Sequence, residues 1–214
     1  MFSRDLKSWA RQRLVGRWAA AIIVCVLADV VSLSVNLTEF LPLSGKMELL
    51  LPVVCLLLDF LIGGAISLGI AHYFTNLAAN RNAQIGDLFA YFRHLGKAIW
   101  MSLVTFCYVF LWSLLFVIPG IIATYRYAMV PYLIAEFPDL SVTEAMDESA
   151  RLMRGNKFRL FCLQLSFIGW IFLSVLFTFG IGLLWVMPYM QAADAAFYLD
   201  VTGRSSLRHE EPRM

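Results

Sequence analysis

The chain has 214 residues, 60% of them hydrophobic and 15% charged, and a net charge of +2. A soluble domain of this length is about half apolar and about a quarter charged, so the composition argues for surface that faces lipid, because a membrane protein cannot cover its exterior with polar groups. The small net charge argues against nucleic acid as a partner.

The N-terminal stretch is basic, with Arg4, Lys7, Arg11 and Arg13. A secretory signal would pair such a stretch with a short apolar core and a small-residue cleavage site. Here the apolar run from Val15 to Val35 reaches the roughly 20 residues a bilayer span needs, so it reads as a retained first helix. Six spans are expected: Gly16 to Val35, Leu49 to Tyr73, Ala98 to Ile118, Ile121 to Ala135, Phe158 to Phe179, and a last one reaching Tyr198. Spans three and four together are too long for one crossing, as are five and six, at about 1.5 Å per residue. Pro119-Gly120 and Gly180-Ile-Gly182 punctuate them, and are where tight helical hairpins would turn.

Lysine and arginine placement orients the chain. Arg4, Lys7, Arg11, Arg13 and Arg17 precede or open span one; Arg81, Arg93 and Lys97 lie between spans two and three. Arg151, Arg154, Lys157 and Arg159 lie between four and five, and Arg204, Arg208 and Arg213 follow span six. The other side has only Lys46. Both termini are therefore expected in the cytoplasm, with residues 1–203 as one polytopic domain and 204–214 as a short polar tail.

The cytoplasmic segments carry their own pattern. Ser141-Val-Thr-Glu144 has the form of a capping box, and Gly155 sits where a C-terminal cap belongs. Between them Val142, Ala145, Met146, Ala150 and Met153 form one helical stripe, with Glu144, Asp147, Glu148, Arg151 and Arg154 opposite. Ile85, Leu88, Phe89, Phe92 and Leu95 form a second stripe ending at Gly96, and Phe2, Leu6, Trp9 and Ala10 a third before Gly16. These read as amphipathic helices lying in the cytoplasmic interface. The result is a repeated unit of amphipathic helix, glycine, basic residue and hairpin. Lys97 and Lys157 precede Gly120 and Gly180 by the same interval, and the second helices contain Met129-Val-Pro131-Tyr132 and Met187-Pro188-Tyr189. Both units enter from the cytoplasm, so the repeat is parallel.

From Leu88 to Tyr198 the ordered motifs are Leu111-Trp-Ser-Leu-Leu-Phe-Val-Ile-Pro-Gly-Ile-Ile122, Tyr125-Arg-Tyr-Ala-Met-Val-Pro-Tyr132, Leu152-Met-Arg-Gly-Asn-Lys157, Gln164-Leu-Ser-Phe-Ile-Gly-Trp170 and Gly180-Ile-Gly-Leu-Leu-Trp-Val-Met-Pro-Tyr189. On these the chain resembles the bacterial integral membrane proteins of domain-of-unknown-function family 975. The resemblance implies a polytopic plasma-membrane protein with no assigned activity. Relatives often read Ile-Ile-Lys and then Tyr-Ser-Tyr-Ser-Met; here Ala123 stands for the lysine and Arg126 for the first serine, which moves the positive charge one helical turn along a face. A looser similarity to membrane domains attached to some glycerophosphodiester phosphodiesterases points to lipids.

Arg126 is the leading candidate for a functional residue, since an ionisable group at membrane depth costs about 2.5–3.5 kcal/mol on insertion scales and is paired or faces a cavity. Asp29, Asp59 and Asp194 lie at membrane depth too. One reading is a polar cavity where Arg126 holds an anion such as a lipid phosphate; the other is an ion pair with Asp59 or Asp29, or snorkelling. Tyr125, Tyr127, Tyr132 and Tyr189 supply hydroxyls beside the breaks expected at Pro131 and Pro188, as in broken-helix transporter sites. Gln164, Ser166 and Gln191 read as hydrogen-bonding links between helices, and Gly63, Ser67 and Ala71 as a close-packing face. His72, His94 and His209 have no ligand spacing, Cys25, Cys55, Cys107 and Cys162 stand singly in apolar runs, and no nucleophile, metal or phosphate motif is present. The expectation is an all-α membrane protein of three hairpins with no enzymatic activity, metal or cofactor. It would act as a helper or regulator that binds membrane lipid, a membrane protein or its own copies. The alternative is a small transporter or lipid-translocating protein with a polar site between the hairpins.

Overall fold

The structure is a computed structural model that describes the backbone of residues 3–36 and 46–203, with side chains at 4–31, 54, 58 and 62–203 except 115 and 117. Among the described residues every element is helical: α1 Ser3–Leu14, α2 Trp18–Asn36, α3 Lys46–Ala78, a 3-10 segment Ile85–His94, α4 Leu95–Leu115, α5 Val117–Tyr127, α6 Val130–Glu136, α7 Val142–Leu152, α8 Lys157–Thr178 and α9 Leu183–Val201. Two helical stretches, 85–114 and 157–178, are long and apolar enough to cross a membrane, and a third arises if α1 and α2 count as one span bent by 100°. The tail 204–214 and the Asp59 side chain lie outside the described residues.

Helices α3 and α9 form the centre. α3 touches α2, α4, α6, α9 and the 3-10 segment, and α9 touches α1, α2 and α8. The Ala192 to Leu199 stretch of α9 is buried save Asp194, and its small residues Ala192, Ala193, Ala195 and Ala196 let neighbouring helices come close. Gly64 and Gly69 of α3 do the same by having no side chain. A Cβ on Gly64 would lie 2.7 Å from the Ala98 carbonyl oxygen, and one on Gly69 would lie 2.0 Å from that of Leu88. These are the close-packing glycines of α3; Gly63, assigned that role above, has open space around it. The outer faces of α4 and α8 carry exposed Phe106, Phe110, Leu111, Ile168, Trp170 and Phe172, far more apolar surface than a water-facing protein leaves uncovered.

The amphipathic helices face differently from the expectation. Leu6, Trp9, Ala10 and Leu14 of α1 are buried, and α1 packs on α9, α3 and α8. Val142, Ala145, Met146, Ala150 and Met153 of α7 are likewise buried, against α4, α5 and α6. Their apolar stripes cover protein, each large side chain contributing about 1.5–3 kcal/mol, and not a bilayer interface. The third stripe is divided: Leu88 is buried while Ile85 and Phe89 are exposed, and the segment winds as a 3-10 helix.

The first hairpin turns earlier than expected. The break is at Phe116 (φ −164°, ψ 155°), and Pro119 and Gly120 fall inside the first turn of α5, where proline's missing N–H has no intrahelical partner to lose. Gly120 instead lets α5 close on α4, since a Cβ there would lie 2.2 Å from Ser113 Oγ. The second hairpin turns at Phe179 and Gly180, both in the left-handed region (φ 50° and 90°), and Gly182 closes on Ser174. Both hairpins thus join a glycine on the returning helix to a serine on the outgoing one.

The capping box at α7 forms as expected. Glu144 N–H donates to Ser141 Oγ (3.3 Å), while Ser141 N–H and Oγ–H donate to Glu144 Oε2 at 2.8 and 2.7 Å. These bonds from Ser141 hold the Glu144 carboxyl below the usual range. A depressed folded pKa means that the contribution to stability is present above the unfolded value of about 4.3 and is lost as pH falls through the folded value. The protection of first-turn α7 amides, measured against the exchange rate of an unstructured chain at the same pH, should therefore fall on acidification below that range, and Glu144→Gln should flatten this pH dependence.

Candidate functional site

The candidate residues divide between two cavities of opposite character. The first, about 330 Å³, lies between α3, α8, α9 and the α5–α6 junction. Its polar lining is Ser67, Tyr132, Gln164, Gln191 and Asp194. Gln164 is anchored from both sides: Tyr125 Oη donates to its Oε1 (3.0 Å), and its Nε2 donates to Asp194 Oδ2 (3.2 Å). The other carboxylate oxygen, Asp194 Oδ1, is buried and has no hydrogen-bond partner among the described residues. Gly63, Ser67 and Ala71 form the α3 wall, so the stripe read as a helix contact is a cavity lining. The Tyr132 ring is buried and stacks on Tyr198, with centroids 5.5 Å apart.

The second cavity, about 260 Å³, is lined by Trp112, Pro119, Ile122, Ala123, Arg126 and Lys157. Arg126 does not meet the acids. Its guanidinium lies 5.5 Å from the centroid of the Tyr127 ring, and among the described residues it has no ion pair, Asp29 and Asp194 included. Asp29 is exposed on α2. Tyr127 packs edge-on against Tyr108. Tyr189 turns to the N-terminal helix, where its Oη donates to the Lys7 carbonyl (3.1 Å) and its ring packs edge-on against Phe167. The structure thus links Tyr125 and Asp194 through Gln164, places Tyr132 in the lining of the same cavity, and leaves Arg126, Tyr127, Tyr189 and Asp29 apart from them.

The α5–α6 junction separates the two cavities and is held by a residue the sequence did not flag. Pro131 cannot donate a main-chain hydrogen bond, and the helix breaks at Ala128–Met129. Ser149 of α7 fills the gap: its Oγ–H donates to the Arg126 carbonyl (2.9 Å) and its Oγ accepts from Met129 N–H (3.3 Å). Lys157 was also missed as a site residue, because it reads as one of many basic residues beside a span; only the fold brings it to Arg126. The interior ion pair Arg159–Asp200 (2.6 Å) is another pairing that spacing does not reveal.

Residues 108–205 match the family model described as protein of unknown function (DUF975). No curated protein and no solved structure matches the chain. The matched segment holds all six residues lining the Arg126 cavity, and every residue of the polar cavity except its α3 wall.

Ser149→Ala removes the hydroxyl that serves both main-chain groups and leaves them buried without partners. The expected loss is about 1–3 kcal/mol of stability, read as a lower unfolding temperature of the detergent-solubilised protein, with Ser149→Thr less affected.

Proposed function

We propose that this is a six-span bacterial plasma-membrane protein with both termini in the cytoplasm, which works without catalysis by holding an anionic phospholipid between Arg126 and Lys157. One observation carries the reading: two cations from different helices share an apolar-walled cavity, and neither has an ion pair among the described residues. An unpaired cation off water is costly, and a phosphate with its acyl chain against Trp112 and Ile122 would satisfy both charge and wall.

The topology draws support from the way basic residues near the ends of different spans meet. Arg17 donates to the Arg81 carbonyl (3.3 Å), Lys97 donates to the Pro138 carbonyl, and Arg159 pairs with Asp200. Each contact joins segments assigned to the cytoplasmic side by their lysines and arginines. In this reading α2, α3, α4, the α5–α6 pair, α8 and α9 are the spans. The second reading, a small transporter or lipid-translocating protein, draws on the polar cavity; because Arg126 and Asp194 line different cavities, such a route would not include Arg126.

Native mass spectrometry of the protein extracted with its own lipids should show one phosphatidylglycerol or a similar acidic lipid retained by the unsubstituted protein, lost in Arg126→Ala and weakened in Lys157→Ala. Retention of the same lipid by both variants would remove the lipid role. A reporter inserted at Lys46 should be found outside the cytoplasm, and a cytoplasmic signal there would overturn the topology.

A further inference from the structure

The polar cavity is chemically the reverse of the Arg126 site and calls for a different ligand. Its floor holds Asp194, whose Oδ2 is already engaged by Gln164 and whose Oδ1 has no partner. A buried carboxylate oxygen without a hydrogen bond is strongly disfavoured unless something supplies one. Gln164 cannot turn to help, because Tyr125 holds its other end. No arginine, lysine or histidine lines the cavity, so no cationic side chain of the lining balances the carboxylate.

We propose that this cavity binds a small organic cation with a primary ammonium group, the ammonium donating to Asp194 Oδ1 and the hydrocarbon body lying against Ile66, Ile70, Met129 and Leu160. The residues present match both halves of such a ligand. Ser67, Tyr132 and Gln191 add oxygen acceptors around the carboxylate for the remaining N–H groups. The apolar wall would reject a fully hydrated metal ion, and among the described residues no cluster of three metal-ligating acids, histidines or cysteines exists. A volume of about 330 Å³ lies at the small end of ligand pockets, which suits a short alkylamine and excludes a whole phospholipid. The proposal does not depend on the lipid site, since the two cavities share no lining residue.

The test uses the full chain in nanodiscs of zwitterionic lipid, with n-butylammonium as the probe and n-butanol as its uncharged counterpart of the same length. Calorimetric titration should give saturable binding of the ammonium and none of the alcohol. Asp194→Asn should weaken ammonium binding by about 30-fold or more, whereas Arg126→Ala should leave it unchanged while losing the acidic lipid. Ser67→Leu, which fills the cavity with Asp194 intact, should abolish binding and serves as the deciding variant if Asp194→Asn does not fold. Absence of saturable binding by the unsubstituted protein, equal binding of amine and alcohol, or unchanged affinity in Ser67→Leu would each overturn the assignment and leave a water-filled cavity.

Discussion

Main-chain polar groups freed inside an apolar bundle must find partners without bulk water, and the architecture is arranged around that need. Ser149 bonds to both groups at the α5–α6 break. The Ala135 carbonyl at the end of α6 receives Tyr91 Oη (2.8 Å) and lies 3.1 Å from His72 Nδ1. Lys7 Nζ donates to the Ser166 carbonyl (3.2 Å), and Tyr189 Oη returns to the Lys7 carbonyl. Serine, tyrosine and histidine side chains thus meet main-chain carbonyls both at a helix break, as Ser149 does, and along continuous helices, as Tyr189 does at Lys7. That is why several polar residues that look functional in the sequence are engaged by main chain in the fold.

Charge is segregated by the same helices. α8 contributes Lys157 to one cavity and Leu160 and Gln164 to the other, so about two turns of helix separate the lysine from the glutamine that holds the Asp194 carboxylate. Arg126 and Tyr125 are adjacent in sequence yet serve opposite cavities, Tyr125 reaching Gln164 and Arg126 reaching toward Lys157.

Much of the architecture was legible in the residues. The capping box at Ser141 and Glu144, the left-handed joints at Gly16 and Gly155 (φ 78° and 77°) and the second hairpin at Gly180 stand where spacing placed them, because each is set by local chain geometry. What periodicity could not supply is the identity of the surface that covers a face. The stripes of α1 and α7 are real, but whether protein or lipid meets them depends on tertiary packing, against the sequence-distant α9 for α1 and against α4, α5 and α6 for α7. The turn at Phe116 shows the same gap: Pro119-Gly120 is a strong breaker signal, yet both residues are tolerated in a helix's first turn, and glycine there serves close approach to Ser113. Arg126 stands out in the sequence by its cost at depth, whereas Lys157 joins it only through the packing of α5 and α8 around one cavity.

The repeated Met–Pro–Tyr element explains how two similar hairpins yield one polar cavity. In the first copy Pro131 follows a real break at Ala128–Met129, and Tyr132 swings onto Tyr198 at the cavity wall. In the second copy Pro188 lies inside α9, which runs unbroken, and Tyr189 points to α1. Proline is common to both, so proline alone does not decide the outcome. The difference is the support: α7 presents Ser149 to the first junction, whereas beside Pro188 the ring of Tyr189 is held by Phe167, Trp18 and the Lys7 carbonyl, which brace a continuous helix. A break needs a donor and an acceptor brought to it, and only the first repeat has them. Among the described residues the two copies thus differ in what supports the main chain at proline, a serine of the amphipathic helix α7 at one and aromatic packing at the other.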